Sequence, residues 1–182
     1  MRLVAFLFVS VASFGLLGST QSEPVCNIAP EKKVLIGKFL CGEFSSGADE
    51  AYKFSGPNCV ANSISKRLED SAVQVQLYRL CGDTEFANRL AASGPKTFQF
   101  LQTLSVCTDE RISVKDIFDD RMAYVSTRLA GELCTDHIGQ ELNDKRQILE
   151  GQLQLSEQPN INETIYHRLG IAVDGAGNVF EK

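Results

Sequence analysis

Six cysteines constrain the fold of this chain more than any other feature of its sequence. They are Cys26, Cys41, Cys59, Cys81, Cys107 and Cys134. Their number is even and no two are closer than 15 positions, so the sequence contains no C-x-x-C zinc knuckle. Such a set predicts three disulfide bridges in an oxidising compartment. We therefore expect structural cysteines, with no metal site and no cofactor.

The N-terminal segment predicts export to such a compartment. Arg2 precedes an apolar run that ends at Leu17, and small residues follow up to Ser22. This order is typical of a cleavable signal peptide. The apolar run has roughly 15 residues, whereas a helix that spans a bilayer needs about 20. We expect cleavage between Ser19 and Ser22 and a secreted, extracellular mature protein.

The composition of the mature chain limits its partners. Removing residues 1–22 takes away one basic residue, Arg2, and leaves 160 residues with 17 basic and 23 acidic side chains. That length suits a single domain with its own core. A net acidic chain without a long basic run argues against nucleic acid or an anionic membrane surface as the main partner. The predicted organisation is a signal peptide at 1–22, a helical disulfide-bonded domain at 23–156 and a C-terminal extension at 157–182.

Helical periodicity dominates the domain and predicts an all-α, disulfide-stapled bundle of about five to six helices. The predicted helical stretches are 30–41, 58–81, 84–92, 98–106, 113–133 and 138–153. A break of the second stretch near residues 70–71 stays open as an alternative, and residues 93–95 are expected to end the third. Ser113 and Asp116 form a capping box that starts the fifth stretch.

The C-terminal extension has a different pattern. Two short apolar runs, 170–173 and 179–180, flank a glycine-bearing segment from Asp174 to Asn178. This arrangement predicts a short β-hairpin or an extended tail. The segment lacks the alternating acids and final glutamate of an EF-hand calcium loop, so we interpret it as a turn.

The pairing of the cysteines can be argued in part from helix lengths. Four cysteines, at positions 41, 81, 107 and 134, follow an aliphatic residue and precede a small residue and an acid, which predicts that each lies in the last turn of a helix. A helix over 113–133 would be about 30 Å long and would hold Cys107 and Cys134 apart. The chain between Cys81 and Cys107 is predicted to form two short helices of similar length. An up-and-down pair of this kind would bring Cys107 back to the end of the bundle where Cys81 lies. We therefore favour a bridge between Cys81 and Cys107.

Catalytic motifs are missing from the sequence. The segment from Cys134 to His137 resembles the active helix of secreted phospholipase A2, but Ile138 stands where that family has aspartate, and no glycine-rich calcium loop precedes it. We interpret His137 and His167 as surface residues. G-x-S-x-G, H-E-x-x-H and phosphate-loop motifs do not occur. We expect no enzymatic activity, with a secreted hydrolase the least favoured function.

Two other function classes remain. One is a binding protein that encloses a small apolar ligand between its helices. Insect odorant-binding proteins are six-cysteine helical carriers of this kind, although their close C-x3-C and C-x8-C spacings are absent here. The alternative is an extracellular protein that acts through its surface, as a signal, immune or effector protein. In either class, the sequon Asn162-Glu163-Thr164 predicts a glycan on Asn162 in a eukaryotic secretory route.

Overall fold

The computed structural model describes residues 23–43, 51–158 and 160–182. Within these ranges, six helices lie between residues 30 and 156, and a seventh follows. The helices are α1 (Pro30–Leu40), α2 (Cys59–Leu80), α3 (Thr84–Thr97), α4 (Gln99–Ser105), α5 (Val114–Arg128), α6 (Asp136–Ser156) and α7 (Ile161–Arg168). The strands are β1 (Cys26–Asn27), β2 (Ile171–Val173) and β3 (Val179–Glu181). The predicted disulfide-stapled helical bundle with a C-terminal hairpin is confirmed. The predicted signal peptide lies outside the described residues, as does part of the segment between α1 and α2.

Helix α2 lies at the centre of the fold. It packs mainly against α3 and α5, with weaker contacts to α1 and α6. Ile64, Leu68 and Val75 recur at helical spacing on its core face and are fully buried. Residues of α1, α4 and α5 surround the first part of α2, and α3 and α6 cover its second part. The apolar core therefore follows the axis of α2 from end to end.

Local side-chain caps start three of the helices. The Ser113 hydroxyl accepts a hydrogen bond from the Asp116 N–H at 3.3 Å, which confirms the predicted start of α5. Asp83 accepts from the Phe86 N–H at the start of α3. Thr135 caps α6 in the same way. Each cap pairs one of the backbone donors that a helix N-terminus leaves without an intrahelical partner.

The strands join the two ends of the described chain. Their order is β1–β3–β2, with β1 parallel to β3 and β2 antiparallel to it. The turn between β2 and β3 is held by Asp174, whose carboxylate accepts from the backbone N–H groups of Ala176 and Asn178, both at 2.9 Å. Ile171 and Val179 are buried in the same core as α4 and α5. The hairpin is therefore part of the packed structure.

Three disulfides connect these elements, as the even cysteine count predicts. The bridges are Cys26–Cys107, Cys41–Cys59 and Cys81–Cys134, with paired Cα atoms 4.9 to 5.0 Å apart. Three such bridges are compatible with an extracellular protein.

The preferred bridge between Cys81 and Cys107 is wrong. Helix α3 has 14 residues and α4 has 7, so the two are about 21 and 10 Å long. Because α4 is only half as long as α3, it does not carry the chain back to the end of the bundle where Cys81 lies. Cys107 meets β1 instead, and the segment after α5 brings Cys134 to Cys81.

The structure also corrects two predicted helix ends. Helix α3 continues through residues 93–95 to Thr97 with Pro95 inside it, because Gly94 is buried against α2 and α5 and this packing outweighs the local break signal. Helix α5 ends at Arg128, five residues before Leu133, which is exposed. The suggested break of α2 near residues 70–71 does not occur, because Leu68 and Ala72 pack into one continuous core.

Among the described residues, none of the helices combines the length and the apolar character needed to cross a bilayer.

Candidate functional site

A cleft opens between α2, α3, α6 and α7. We call it the main cleft, and its volume is about 530 Å³. Apolar side chains form most of its walls, namely Leu90, Phe98, Phe100, Leu149, Leu153, Leu155, Ile161 and Ile165. Pockets that bind small molecules have volumes of about 300–1,000 Å³ and predominantly apolar walls with a few polar groups. The main cleft has both properties.

Helix α2 contributes the polar wall of this cleft. Arg67, Asp70, Ser71 and Gln74 line it. Their spacing of three, four and seven residues places them on one stripe of the helix, beside the stripe that faces the core. Helix α2 therefore has two distinct faces, one apolar and buried and one polar and turned to the cleft.

A cluster of charged and aromatic groups forms part of the wall of the main cleft. The Tyr52 hydroxyl donates to Asp70 Oδ2 at 2.8 Å, and Lys66 Nζ donates to Asp70 Oδ1 at 2.6 Å. The Arg67 guanidinium lies 4.3 Å from the centre of the Tyr52 ring, in a cation–π arrangement. These contacts hold Tyr52, Arg67 and Asp70 together as one polar cluster.

Helix α3 faces the cleft through Leu90, Ser93, Gly94 and Thr97, again at helical spacing. Gly94 allows α3 to approach α2 and α5 closely. A Cβ atom at this position would lie 3.1 Å from the Phe118 ring and 3.3 Å from Ser71 Oγ. The width of the cleft thus depends on this glycine.

Two carboxamide oxygens beside the cleft have no hydrogen-bond partner among the described residues. They belong to Gln74 and Asn162, and both atoms are shielded from solvent. A buried acceptor without a donor costs about 1–3 kcal/mol. The cleft walls therefore contain unsatisfied polarity that close packing alone does not require.

The sequon residue Asn162 lies where the main cleft meets a second, more open one. The second, which we call the side cleft, is bounded by α3, α5 and the connection from α6 to α7, with a volume of about 770 Å³. Ser156, Ile161 and Asn162 line both clefts. Asn162 itself is half-buried in the first turn of α7.

The remaining residues singled out from the sequence lie away from the clefts. His137 and His167 are exposed and line neither. The six cysteines are all in disulfides. Over residues 23–43, 51–158 and 160–182, no three His, Cys, Asp or Glu side chains are grouped as metal ligands.

Comparison of the chain with protein-family models, with curated proteins and with solved structures gave no match. The function must therefore be argued from the cleft itself.

Proposed function

We propose that this protein is a secreted, non-enzymatic carrier of a small apolar ligand. The main cleft is the observation that carries the proposal. Its volume of about 530 Å³ and its apolar walls match those of small-molecule binding pockets. A ligand that covers these walls removes their apolar surface from water, at about 25 cal/mol per Å².

The polar cluster in the cleft wall suggests which ligands fit best. Tyr52, Arg67 and Asp70 form this cluster, whereas α6 and α7 supply mostly apolar side chains to the lining. An apolar body with one polar group would match this division, since a buried polar group must find a hydrogen-bond partner. We propose a ligand of this amphipathic kind.

The surroundings of two of the three cleft serines support a non-enzymatic role. Ser93 Oγ donates to the Leu90 carbonyl oxygen, and Ser156 Oγ donates to that of Leu153. No histidine is present in the described lining to activate a serine. The hydroxyls of Ser93 and Ser156 therefore bond to their own helices.

Export is supported by two separate features. The predicted signal peptide precedes the domain, and the three disulfides suit an oxidising environment.

Native mass spectrometry and displacement of a fluorescent apolar probe test the proposal. We expect a noncovalent small-molecule mass on protein purified from its source, and saturable probe binding after its removal. Thr97→Trp places an indole at the mouth of the main cleft and should weaken probe binding at least about tenfold, or about 1.4 kcal/mol.

Asn88→Trp is the matched control. Asn88 is exposed on α3 and lies about 160° around the helix from Leu90, so the same indole cannot reach the cleft. A clean native mass together with no saturable probe binding would contradict the carrier proposal. If Thr97→Trp and Asn88→Trp weakened probe binding equally, the main cleft would not be the binding site.

The second candidate is an extracellular protein that acts through its surface. The specific observation in its favour is the exposure of large hydrophobic side chains, with Leu133 77% and Ile148 65% accessible. Such side chains supply apolar surface that a partner protein would bury. Failure of the probe experiment would favour this candidate over the carrier.

A further inference from the structure

We propose that an N-linked glycan on Asn162 occupies the side cleft and covers it. The inference rests on the export part of the proposed function, because N-glycosylation takes place in the secretory route. It does not depend on whether the main cleft binds a ligand. The observation behind the inference is that the only sequon of the sequence lies at a wide amphipathic cleft.

The attachment point lies within the lining of the cleft. Asn162 Oδ1 is shielded from solvent and has no partner among the described residues. Because the two polar atoms of a planar carboxamide diverge, Nδ2 points away from that buried position. A sugar joined to Nδ2 starts at the wall that Asn162 shares between the two clefts.

The chemistry of the side cleft suits carbohydrate. Phe118, Met122 and Pro95 provide apolar surface, whereas Gln99, Lys115 and Asp119 provide polar groups. Sugar rings have the same division, with apolar C–H faces and hydroxyl edges. Pockets of about 300–1,000 Å³ hold molecules the size of a disaccharide, and the side cleft has about 770 Å³.

The modification needs a lipid-linked pyrophosphoryl oligosaccharide from the host secretory route. A bond forms between C1 of the first sugar and Asn162 Nδ2, which loses one proton. The bond from C1 to the donor oxygen breaks, and the lipid pyrophosphate leaves. This transfer precedes folding, so the helical position of Asn162 does not prevent it.

Cleavage of the glycan by an endoglycosidase under native conditions tests the inference. The full chain is secreted from a eukaryotic host, and the cleavage rate is measured before and after denaturation. The comparison glycan comes from Lys145→Thr, which places a second sequon at Asn143, exposed on α6. We expect native cleavage at Asn162 to be at least about tenfold slower than at Asn143, because the enzyme reaches only the population in which the glycan has left the cleft.

A matched pair of variants provides a second measurement. Thr164→Ala removes the sequon without changing Asn162, whereas Thr164→Ser keeps it. The aglycosyl Thr164→Ala protein should melt at a lower temperature than wild type, and Thr164→Ser should match wild type.

Two results would overturn the inference: a secreted protein without a glycan on Asn162, or equal native cleavage at Asn162 and Asn143. Probe binding by the same preparations reports on the main cleft separately. A protein that binds the probe but leaves its Asn162 glycan unprotected would disprove this inference and leave the carrier proposal intact.

Discussion

The Glu110 carboxylate caps the N-terminus of α2 from a loop 49 residues away along the chain. Its oxygens accept hydrogen bonds from the backbone N–H groups of Ala61 at 3.0 Å and Val60 at 3.2 Å. Asn58, the residue before the first residue of α2, has a left-handed backbone conformation, and its side chain accepts no capping hydrogen bond. A distant acid thus replaces the local cap of the central helix and complements its dipole.

Removing this carboxylate should destabilise the protein. We expect Glu110→Ala to lower the free energy of unfolding by about 1–2 kcal/mol, because the N–H groups of α2 lose their charged acceptor. Glu110→Gln, which keeps one acceptor oxygen, should lose less. Urea denaturation under non-reducing conditions measures both. Asp109→Ala, at the exposed neighbouring position, is the control, and an equal loss there would argue against a specific cap.

Gly94 should be intolerant of even one methyl group. Gly94→Ala would place Cβ 3.1 Å from the Phe118 ring, which is buried. Overpacking costs about 1–3 kcal/mol and should outweigh the helix-propensity gain of about 1 kcal/mol. We therefore expect a net loss of stability, measured by thermal unfolding.

The control is Gly151→Ala in α6, where an added Cβ meets no atom within 4 Å. The same substitution should raise stability there by up to about 1 kcal/mol. The double variant Gly94→Ala/Phe118→Leu should also lose less than the two single effects combined, since the shorter side chain relieves the contact. Stabilisation by Gly94→Ala alone would disprove the close packing of α3.

Acid should weaken the contact between α6 and the start of α3. The Arg146 guanidinium donates to Asp83, and with the Phe86 N–H it holds the pKa of that carboxyl below its usual range. A depressed folded-state pKa adds stability above the unfolded pKa of about 4, and this is lost as pH falls through the folded value. Stability should therefore decline below about pH 4.

Asp83→Asn isolates the charge, because asparagine is also a good N-cap. The variant should be less stable than wild type at pH 7, and the difference should shrink in acid. Asp120→Asn, at an exposed position of α5, should show no such trend. Urea titrations from pH 2.5 to 7 measure the difference. If the stability difference between Asp83→Asn and wild type stayed constant over this range, the charge of Asp83 would have no role in stability.

Local chemistry explains which elements could be predicted from the sequence. Pro30 suits the first turn of a helix, and Ser113 accepts a hydrogen bond from an N–H only three residues ahead. The hairpin follows from Asp174 and the glycine-bearing turn. In each case the determining contacts lie within a few positions, so composition and spacing suffice.

The main cleft could not be predicted because distant segments build it. Tyr52 precedes α2, whereas Ile161 and Ile165 belong to α7, which begins without a side-chain cap and was not predicted. The stripe of α2 that starts at Arg67 and ends at Gln74 was the one available signal, since its spacing marks a second face. Nothing in that spacing identifies α7 as the opposite wall.

The disulfides illustrate the same limit. Cys41 and Cys81 are the C-cap residues of α1 and α2, one position beyond the last turn in which they were predicted to lie. Cys134 does not follow a helix end directly, because α5 ends six residues earlier and a loop carries it to its partner. Pairing depends on how far each helix extends, and for α3 that extent is decided by packing at Gly94.

The Cys81–Cys134 bridge should be the first to open under mild reduction. A thiolate must reach a sulfur to exchange with it. Cys134 is exposed, whereas Cys41 and Cys107 in the other two bridges are only 6% and 7% accessible. Timed native reduction with alkylation and peptide mapping should therefore label Cys81 and Cys134 before the rest.

The double variant Cys81→Ser/Cys134→Ser should still fold, because the bridges at α1 and β1 and the two apolar clusters remain. Loss of the cross-link between residues 53 positions apart should cost about 2–4 kcal/mol through the larger freedom of the unfolded chain. Far-UV circular dichroism checks the helix content, and denaturation measures the cost. Earlier labelling of Cys26 and Cys107 would contradict this order, because it would mean that the buried bridge opens before the exposed one.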